Sequence, residues 1–314
     1  MTGTNDHAAI GGAPRALVTG GAGFVGSHLC DALLDRGFEV ICLDDLSSGT
    51  RSNVAGALGS PRFRLIEADV SAAADLDEPL DLVVHLAFPR VGDWVDAPLP
   101  ALGSISAGTL RALDLARAAG ARFVLGSTSE IAGDAASDTG DPREPYLLAR
   151  RLSESLVATA RARYGLDTTI VRIFPTYGPR MRPGGALGSM IEQARRGSPL
   201  MLTGTGAAPF PLCFVSDVVR GILAAADSPL PGPVEIGDPA PLPLAVVAQR
   251  VLALTGSRST LGFLEAPGSA VPPRVADTTL AEKVLGWRPR VGLDEGLALT
   301  LDALEWRAGL APAV

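Results

Sequence analysis

Tyr146 and Arg150 are four residues apart, a spacing that places two side chains on one face of a helix. A positive charge beside a phenol favours the ionised form of that phenol. Such a tyrosine can take the proton from a substrate hydroxyl, and the hydroxyl of Thr128 could hold the same oxygen. A Tyr-x-x-x-Arg pair by itself is more often a surface pair, so this interpretation depends on the rest of the chain.

Glycines at positions 20, 23 and 26 separate an apolar run that ends at Val18 from a helical segment that begins near Phe24. The backbone N–H groups of a glycine turn can approach a diphosphate, and the helix N-terminus adds a partial positive charge. The glycines alone would also suit an ordinary tight turn, but the next apolar run ends in Asp44. A carboxylate there suits the ribose hydroxyls of NAD and repels the additional phosphate of NADP. The pattern therefore predicts an NAD site.

Strand and helix patterns alternate over the first half of the chain. We predict strands at 15–19, 39–43, 63–66, 81–86, 122–126 and 168–173. We predict helices at 24–36, around 72–77, at 98–119 and at 146–164. This alternation predicts parallel βαβ units and a doubly wound parallel Rossmann sheet of the α/β class. Because ligands bind at the carboxyl ends of such strands, the glycine turn, Asp44 and Ala87 are expected at one edge of the sheet.

Prolines and glycines become frequent after residue 174, and the segments between them are short. We predict a flexible tail at 1–13 and an NAD-binding Rossmann domain at 14–174, to which residues 207–235 return. Residues 175–206 and 236–314 are predicted to form a smaller C-terminal α/β region that binds the substrate. The Pro-rich stretches are interpreted as loops over a cleft, because they are too short to be linkers.

The composition of the chain favours a soluble protein that binds a small molecule. Hydrophobic residues make up 47% of its 314 residues, while the net charge of −7 and the lack of Lys/Arg blocks argue against a nucleic-acid partner. No stretch reaches the ~18 consecutive apolar residues of a membrane span, and residues 1–13 lack the features of a signal peptide. The cysteines lie in apolar runs without metal-ligand spacing, so we predict buried thiols, no metal and a cytoplasmic location.

The order of motifs along nearly the whole chain resembles that of the extended short-chain dehydrogenase/reductases, the NAD-dependent epimerase/dehydratase family. The segments that carry the resemblance are Thr19 to Gly26, Asp44, Ala68 to Val70, His85 to Ala87, Ser127 to Glu130, Tyr146, Arg172 to Met181, Phe214 to Asp217, Pro273 to Asp277 and Leu285 to Trp287. Within the family, Thr-Ser-Glu and Thr-Tyr-Gly-Pro-Arg-Met are most similar to the bacterial UDP-glucuronate decarboxylases.

The resemblance implies a function and an assembly. The implied enzyme uses NAD to oxidise a ring hydroxyl of a nucleotide sugar transiently, and then decarboxylates, epimerises or dehydrates the sugar. It also implies a homodimer whose interface is formed by helices 98–119 and 146–164.

The resemblance further implies roles for individual residues. Those implied to contact NAD are Gly20, Gly23, Phe24, Val25, Gly26, Asp44, Asp69, Val70, Ala87, Tyr146, Arg150 and Pro175. Those implied at the reacting carbons are Thr128, Ser129, Glu130, Tyr146 and Arg150. On the substrate side, Arg274 matches an arginine that lies near the substrate in the decarboxylases.

Several positions depart from the family's pattern, and they cluster on the substrate side. Arg150 replaces a lysine, Pro175 an asparagine, and Phe210 the arginine that grips the nucleotide phosphates. A buried diphosphate needs compensating donors, which Arg180, Arg182 and Arg274 could supply. Two alternatives therefore stay open: the same redox chemistry on a sugar-like or nucleoside metabolite without a nucleotide diphosphate, and a non-catalytic NAD-binding protein.

Overall fold

The computed structural model describes residues 12–72, 76, 78–88, 98–131, 144–230, 232–265 and 273–309. The chain divides into two compact units. Unit 1 comprises Met1–Leu125 and Ser137–Thr168, and unit 2 comprises Gly126–Ala136 and Thr169–Val314. The domain boundaries predicted from the sequence stay predictions, and most of the tail predicted at 1–13 lies outside the described residues.

The central feature of the fold is a seven-stranded sheet. With strands numbered in chain order, its spatial order is β11 (Val234–Ile236), β6 (Thr168–Ile173), β5 (Arg122–Thr128), β4 (Leu82–His85), β1 (Arg15–Thr19), β2 (Glu39–Asp44) and β3 (Phe63–Glu67). Strand order reverses at β1, and β1 pairs in parallel with both β2 and β4. This arrangement is the doubly wound parallel sheet that the alternation of elements predicts, and the predicted α/β class is confirmed.

The strand ends at the reversal point lie side by side. The register pairs Thr19 of β1 with Leu43 of β2 and with His85 of β4. β1 is fully buried from Ala16 to Val18, as expected for parallel strands that are covered on both faces. The residues that follow these strands therefore meet at one edge, where this class of sheet binds its ligands.

Among the described residues of unit 1, the α-helices are α1 (Phe24–Asp35), α2 (Pro98–Ala119) and α3 (Glu144–Tyr164). Their bounds agree closely with the predicted helices, although α3 begins two residues earlier than predicted. Glu144 suits that first turn because its carboxylate lies near the helix N-terminus, and it also pairs with Arg151 at 3.3 Å. Helices α2 and α3 pack against each other. Of the helix predicted around 72–77, the structure describes a 3₁₀ turn at Val70–Ala72, and residues 73–75 and 77 lie outside the described residues.

Outside the central sheet, the described part of unit 2 consists of short strands and helices. The described strands and α-helices of this part are β7 (Thr176–Tyr177), α4 (Gly185–Arg196), β8 (Leu200–Thr203), β9 (Pro209–Phe210), β10 (Cys213–Phe214), α5 (Val215–Ala226), β12 (Leu242–Pro243), α6 (Leu244–Thr255), β13 (Leu261–Leu264), α7 (Thr279–Leu285) and α8 (Leu293–Gly309). Strand β7 pairs with β10, β8 with β13 and β9 with β12. Among the described residues, no helix combines the length and the apolar character needed to cross a membrane.

Candidate active site

The glycine turn between β1 and α1 is packed so closely that there is no room for a side chain at Gly20 or Gly26. Gly20 has a φ of +70°, and a Cβ there would lie 2.8 Å from the backbone of Leu86 and Ala87. A Cβ on Gly26 would lie only 2.1 Å from the carbonyl oxygen of Gly20. Helix α1 begins after this turn with Gly23 as an N-cap that makes no side-chain hydrogen bond. The first N–H groups of the helix therefore suit an anionic group of a ligand.

Asp44 ends β2 beside this turn, and backbone donors fix its carboxylate. Its Oδ2 accepts a hydrogen bond from the Ala22 N–H, and its Oδ1 accepts one from the Leu46 N–H, both at 2.9 Å. The residue is only 5% exposed, and burial raises the pKa of this carboxyl while the backbone donors oppose that rise. Each oxygen keeps acceptor capacity for a further donor, which suits the two hydroxyls of a ribose.

A cavity of about 500 Å³ in unit 1 is lined by the glycine turn and Asp44. Its volume lies in the range typical of cofactor sites. The cavity unites the following predicted cofactor residues: Gly20, Gly23, Phe24, Val25, Gly26, Asp44, Asp69, Val70 and Ala87. The chemistry of this lining, with an uncapped helix start, a buried carboxylate and an apolar wall, fits NAD. The lining also contains residues that are not among the predicted cofactor contacts. Ser47, Ser48 and Phe88 follow strand ends that the sequence places at the ligand edge, whereas no sequence signal pointed to Ser104 and Ile105 as cofactor contacts.

Tyr146 and Arg150 form the pair that their spacing predicts. The Nε–H of Arg150 donates to the hydroxyl of Tyr146 at 3.3 Å. Tyr146 is half-buried and packs against a small cluster that includes Ala101 and Ile105, both of which also line the cavity. The guanidinium carbon of Arg150 lies 3.4 Å from the centre of the Phe88 ring. A tyrosine with a cation on its hydroxyl is therefore packed on the wall of the candidate cofactor site.

A buried polar network connects the ends of β1 and β4 to helices α2 and α3. The Nδ1 atom of His85 lies 2.7 Å from the hydroxyl of Thr19, and its Nε2 lies 3.3 Å from the hydroxyl of Thr109. Thr109 is in turn 3.0 Å from the hydroxyl of Ser153, which donates to the carbonyl of Ala149 in α3. His85 is thus a satisfied packing residue, and its hydrogen bonds tie the helix that carries Tyr146 to the sheet edge.

We expect acid to destabilise the fold through His85. Burial, with a smaller effect from the charge of Arg150, lowers the pKa of His85 from 6.5 to about 3. Because the folded protein keeps this ring neutral, unfolding takes up a proton below pH 6.5. The free energy of unfolding should fall by up to about 1.4 kcal/mol per pH unit from this group as the pH drops towards 3. Urea unfolding at several pH values measures the slope; an imidazole NMR signal of His85 that titrates near pH 6 in the folded protein contradicts it.

The end of β5 carries the predicted Ser/Thr/Glu segment in unit 2. Ser127, Thr128 and Ser129 are buried, whereas Glu130 is exposed. The hydroxyl of Thr128 accepts a hydrogen bond from the Glu130 N–H at 3.3 Å. The buried hydroxyl of Ser127 has no hydrogen-bond partner among the described residues. Arg274 donates to the Ser129 carbonyl at 3.2 Å, so a residue that the resemblance alone places near the substrate contacts this segment.

The other predicted substrate residues of unit 2 do not come together in one place. Arg182 lines a cavity beside α4, while Phe210 lines a different cavity of about 230 Å³ together with Tyr177 and Asp238. Arg180 has a φ of +67°, an unusual left-handed conformation for a residue with a side chain. Pro175 is exposed, and its carbonyl accepts from the N–H of Cys213 at 2.9 Å.

Comparisons with known proteins agree with this geometry. A sequence model of the NAD dependent epimerase/dehydratase family matches residues 16–237. UDP-glucuronic acid decarboxylase 6 from Arabidopsis thaliana is 35% identical over 311 residues, which cover 94% of this chain and 90% of that protein.

Two solved structures share the fold. The UDP-glucuronic acid 4-epimerase from Bacillus cereus, in complex with UDP-glucuronic acid and NAD, has a TM-score of 0.81 at 27% identity, covering 93% of this chain and 99% of that one. The dTDP-glucose 4,6-dehydratase from Streptomyces venezuelae, with NAD bound, has a TM-score of 0.82 at 28% identity, covering 94% and 98%. The predicted family, its enzymatic character and its cofactor NAD are confirmed: the chain belongs to the NAD-dependent epimerase/dehydratase family.

Proposed function

We propose that this protein modifies a nucleotide sugar with the help of NAD, most specifically as a decarboxylase of the UDP-glucuronate type. The observation that carries the proposal is the hydrogen-bonded pair of Tyr146 and Arg150, packed on residues that line the glycine-turn cavity. The UDP-glucuronic acid decarboxylases and the UDP-glucuronic acid 4-epimerase among its relatives support the substrate class.

The cofactor would be held by the residues that line the cavity. The glycine turn and the start of α1 would bind the diphosphate, Asp44 the adenosine ribose, and Asp69 with Val70 the adenine. Ala87 would lie along the cofactor, and Tyr146, Arg150 and Pro175 are proposed near its nicotinamide. When bound, NAD would supply the hydride acceptor that turns a ring carbinol into a ketone, which permits loss of CO₂ from the neighbouring carbon before the hydride returns.

Tyr146 would act as the base of the reaction. Its phenolate oxygen would take the proton of the ring hydroxyl as the carbon–oxygen bond becomes double, and the Nε–H of Arg150, which donates to the Tyr146 oxygen, would hold that oxygen in position. Thr128 would hold the same substrate oxygen through its hydroxyl. Ser129 and Glu130 would act at the ring carbon next to the oxidised one. Glu130 is exposed to solvent.

The proposal is tested by incubating the purified protein with NAD and UDP-glucuronate and following CO₂ release and the mass of the sugar product. We expect loss of CO₂ with formation of a UDP-pentose. UDP-glucose and dTDP-glucose serve as parallel substrates that separate epimerisation and dehydration from decarboxylation. The proposal is wrong if the purified protein neither carries nor binds NAD(H).

A second candidate keeps the redox chemistry but replaces the nucleotide sugar by a sugar-like or nucleoside metabolite. Phe210 supports it, since this residue is half-buried, pairs with Leu242 across β9 and β12, and has no charge for a phosphate. Arg274, which could compensate, is paired with Glu235 at 3.1 Å. Thermal-shift measurements with UDP, dTDP and their sugars separate the two functions: stabilisation by a nucleoside diphosphate favours the first, and no shift across the panel favours the second.

We propose that two copies of the chain form a homodimer through α2 and α3. These packed helices carry several exposed leucines, namely Leu99, Leu110, Leu148 and Leu152. Exposed apolar side chains grouped on neighbouring helices are typical of an interface. We also propose a cytoplasmic location, where Cys30, Cys42 and Cys213 stay buried free thiols.

We expect Leu110→Glu to convert the dimer into monomers, because a carboxylate would have to be buried without a partner in the interface. Leu299→Glu on α8 is the matched control, since Leu299 is 44% exposed and Leu110 48%. Sedimentation velocity at micromolar concentration reports the mass of each variant. A wild-type protein that sediments as a monomer, or a Leu110→Glu variant that stays dimeric, contradicts the proposed interface.

A further inference from the structure

The ring of Phe88 lies directly against the guanidinium of Arg150. The distance from the Arg150 Cζ to the ring centre is 3.4 Å, well within the ~6 Å reach of a cation–π contact. The same guanidinium carbon lies farther from the ring of Tyr146, at 5.4 Å. Phe88 also lines the candidate cofactor cavity, although neither the sequence motifs nor the proposed mechanism assigns it a role.

Phe88 is itself held in place by its surroundings. Its ring centre lies 5.2 Å from that of His85, and the ring packs against the cluster that contains Ala101, Ile105 and Ala149. His85 is fixed by hydrogen bonds to Thr19 and Thr109 and stays neutral, so it adds no positive charge that would repel the guanidinium. The ring is thus a fixed surface for Arg150.

The contacts of Arg150 with the Phe88 ring and with the Tyr146 hydroxyl suit the chemistry of a guanidinium. A planar guanidinium can place its face on an aromatic ring while an N–H in its plane donates to another group. In this protein the face contacts Phe88, and the Nε–H donates to the Tyr146 hydroxyl at 3.3 Å. An ammonium group is a point charge on a flexible stem, and its position would not be fixed by stacking.

We propose that Phe88 is a positioning residue that holds the Arg150 guanidinium with its Nε–H on the Tyr146 hydroxyl. Phe88 and Arg150 would then act as a pair in place of the lysine typical of the family. The inference rests on the proposed function, because the hydroxyl that Arg150 contacts is that of the proposed base. Its first test is independent of turnover.

The geometry is tested by NMR on protein labelled with ¹⁵N-arginine. The face of the Phe88 ring should shift the Nε–H proton signal of Arg150 upfield. We expect Phe88→Leu, which keeps an apolar side chain, to abolish that shift, and Phe88→Tyr, which keeps the ring, to preserve it. An Arg150 signal that is unchanged by Phe88→Leu overturns the inference, whatever reaction the protein catalyses.

The role is tested by kinetics in a double-mutant cycle of Phe88→Leu and Arg150→Lys. We expect each single variant to lower kcat about tenfold at nearly constant KM, and the double variant to be no worse than Arg150→Lys alone. Phe88→Tyr should restore the rate. Two outcomes would refute a positioning role: rate losses of the single variants that multiply in the double variant, or a Kd for NAD that rises in step with the rate loss. Either would mean that Phe88 acts only as part of the cavity wall.

Tyr164→Leu provides the matched control on the same helix. Tyr164 is the last residue of α3, and its ring centre lies 5.3 Å from the guanidinium carbon of Arg117 on α2. The variant therefore removes an aromatic ring from a cation–π contact far from Arg150 along the helix. We expect this variant to keep the wild-type kcat. If Tyr146 is not the base, Tyr146→Phe leaves turnover intact, and if the substrate class is wrong, no turnover of UDP-glucuronate is seen. In both cases the NMR shift still depends on Phe88, so a failure of the proposed function is distinguishable from a failure of this inference.

Discussion

Tyr146→Phe is expected to lower kcat by about 10²–10⁴-fold, the range by which a positioned acid–base group accelerates a reaction. The change removes one oxygen and keeps the ring that packs against Ala101 and Ile105. The cavity lining is untouched, because Tyr146 is not among the described residues that line it. Binding of NAD should therefore stay within a few-fold of wild type while the chemical step is lost.

Tyr164→Phe is the matched control for Tyr146→Phe. Tyr164 is exposed at the last residue of the same helix and should lose its hydroxyl without kinetic effect. Product formation and the transient absorbance of reduced cofactor in a single turnover report the chemical step, and calorimetry reports the affinity for NAD. If Tyr146→Phe keeps more than half of the wild-type kcat, another group removes the proton and the proposed role of Tyr146 fails.

The parts of the site that the sequence predicts are those encoded by short, local patterns. The turn from Gly20 to Gly26 lies between a buried strand and a helix, and both elements are visible as patterns in neighbouring residues. Asp44 could be predicted because parallel pairing brings the end of β2 next to the end of β1. The Tyr146–Arg150 contact could be predicted because four residues are one turn of a helix.

Other contacts depend on packing between distant segments and leave no local pattern. Phe88 lies 62 residues before Arg150, and Arg274 lies 145 residues after Ser129, the residue to which it donates. The sequence shows which residue types stand at these positions, but it does not show which residues they contact. The replacement of lysine by Arg150 is an example: the sequence shows only a departure from the family, whereas the structure supplies the aromatic ring against which a guanidinium can stack.

The substrate side is the least predictable part of the molecule. The sequence predicts that Arg182 and Phe210 belong to one substrate site. In the structure, they line two different cavities of unit 2. The cofactor residues of the glycine turn behave differently, because the geometry of the turn depends on the absence of a side chain at Gly20 and at Gly26. Mutation of that turn should therefore have a large effect on both binding and stability.

Gly26→Ala is expected to abolish NAD binding and to destabilise unit 1. The added Cβ would lie 2.1 Å from the Gly20 carbonyl oxygen and 2.9 Å from the Gly21 Cα, so the backbone of the turn would have to open. No flexible side chain can yield there, because both contacts are with backbone atoms. We expect the Kd for NAD to rise by roughly a hundredfold or more, each tenfold corresponding to about 1.4 kcal/mol.

Gly103→Ala on α2 is the control that separates this steric effect from the general effect of replacing a glycine. A Cβ there meets nothing within 4 Å, and an alanine in a helix should stabilise the fold by about 0.5–1 kcal/mol. Calorimetry with NAD and thermal unfolding without NAD measure the two effects separately. An affinity for NAD in Gly26→Ala within threefold of wild type would mean that the cofactor does not use this turn. If Gly26→Ala loses affinity for NAD and Gly103→Ala keeps it, NAD binding depends on the close approach of Gly20 and Gly26.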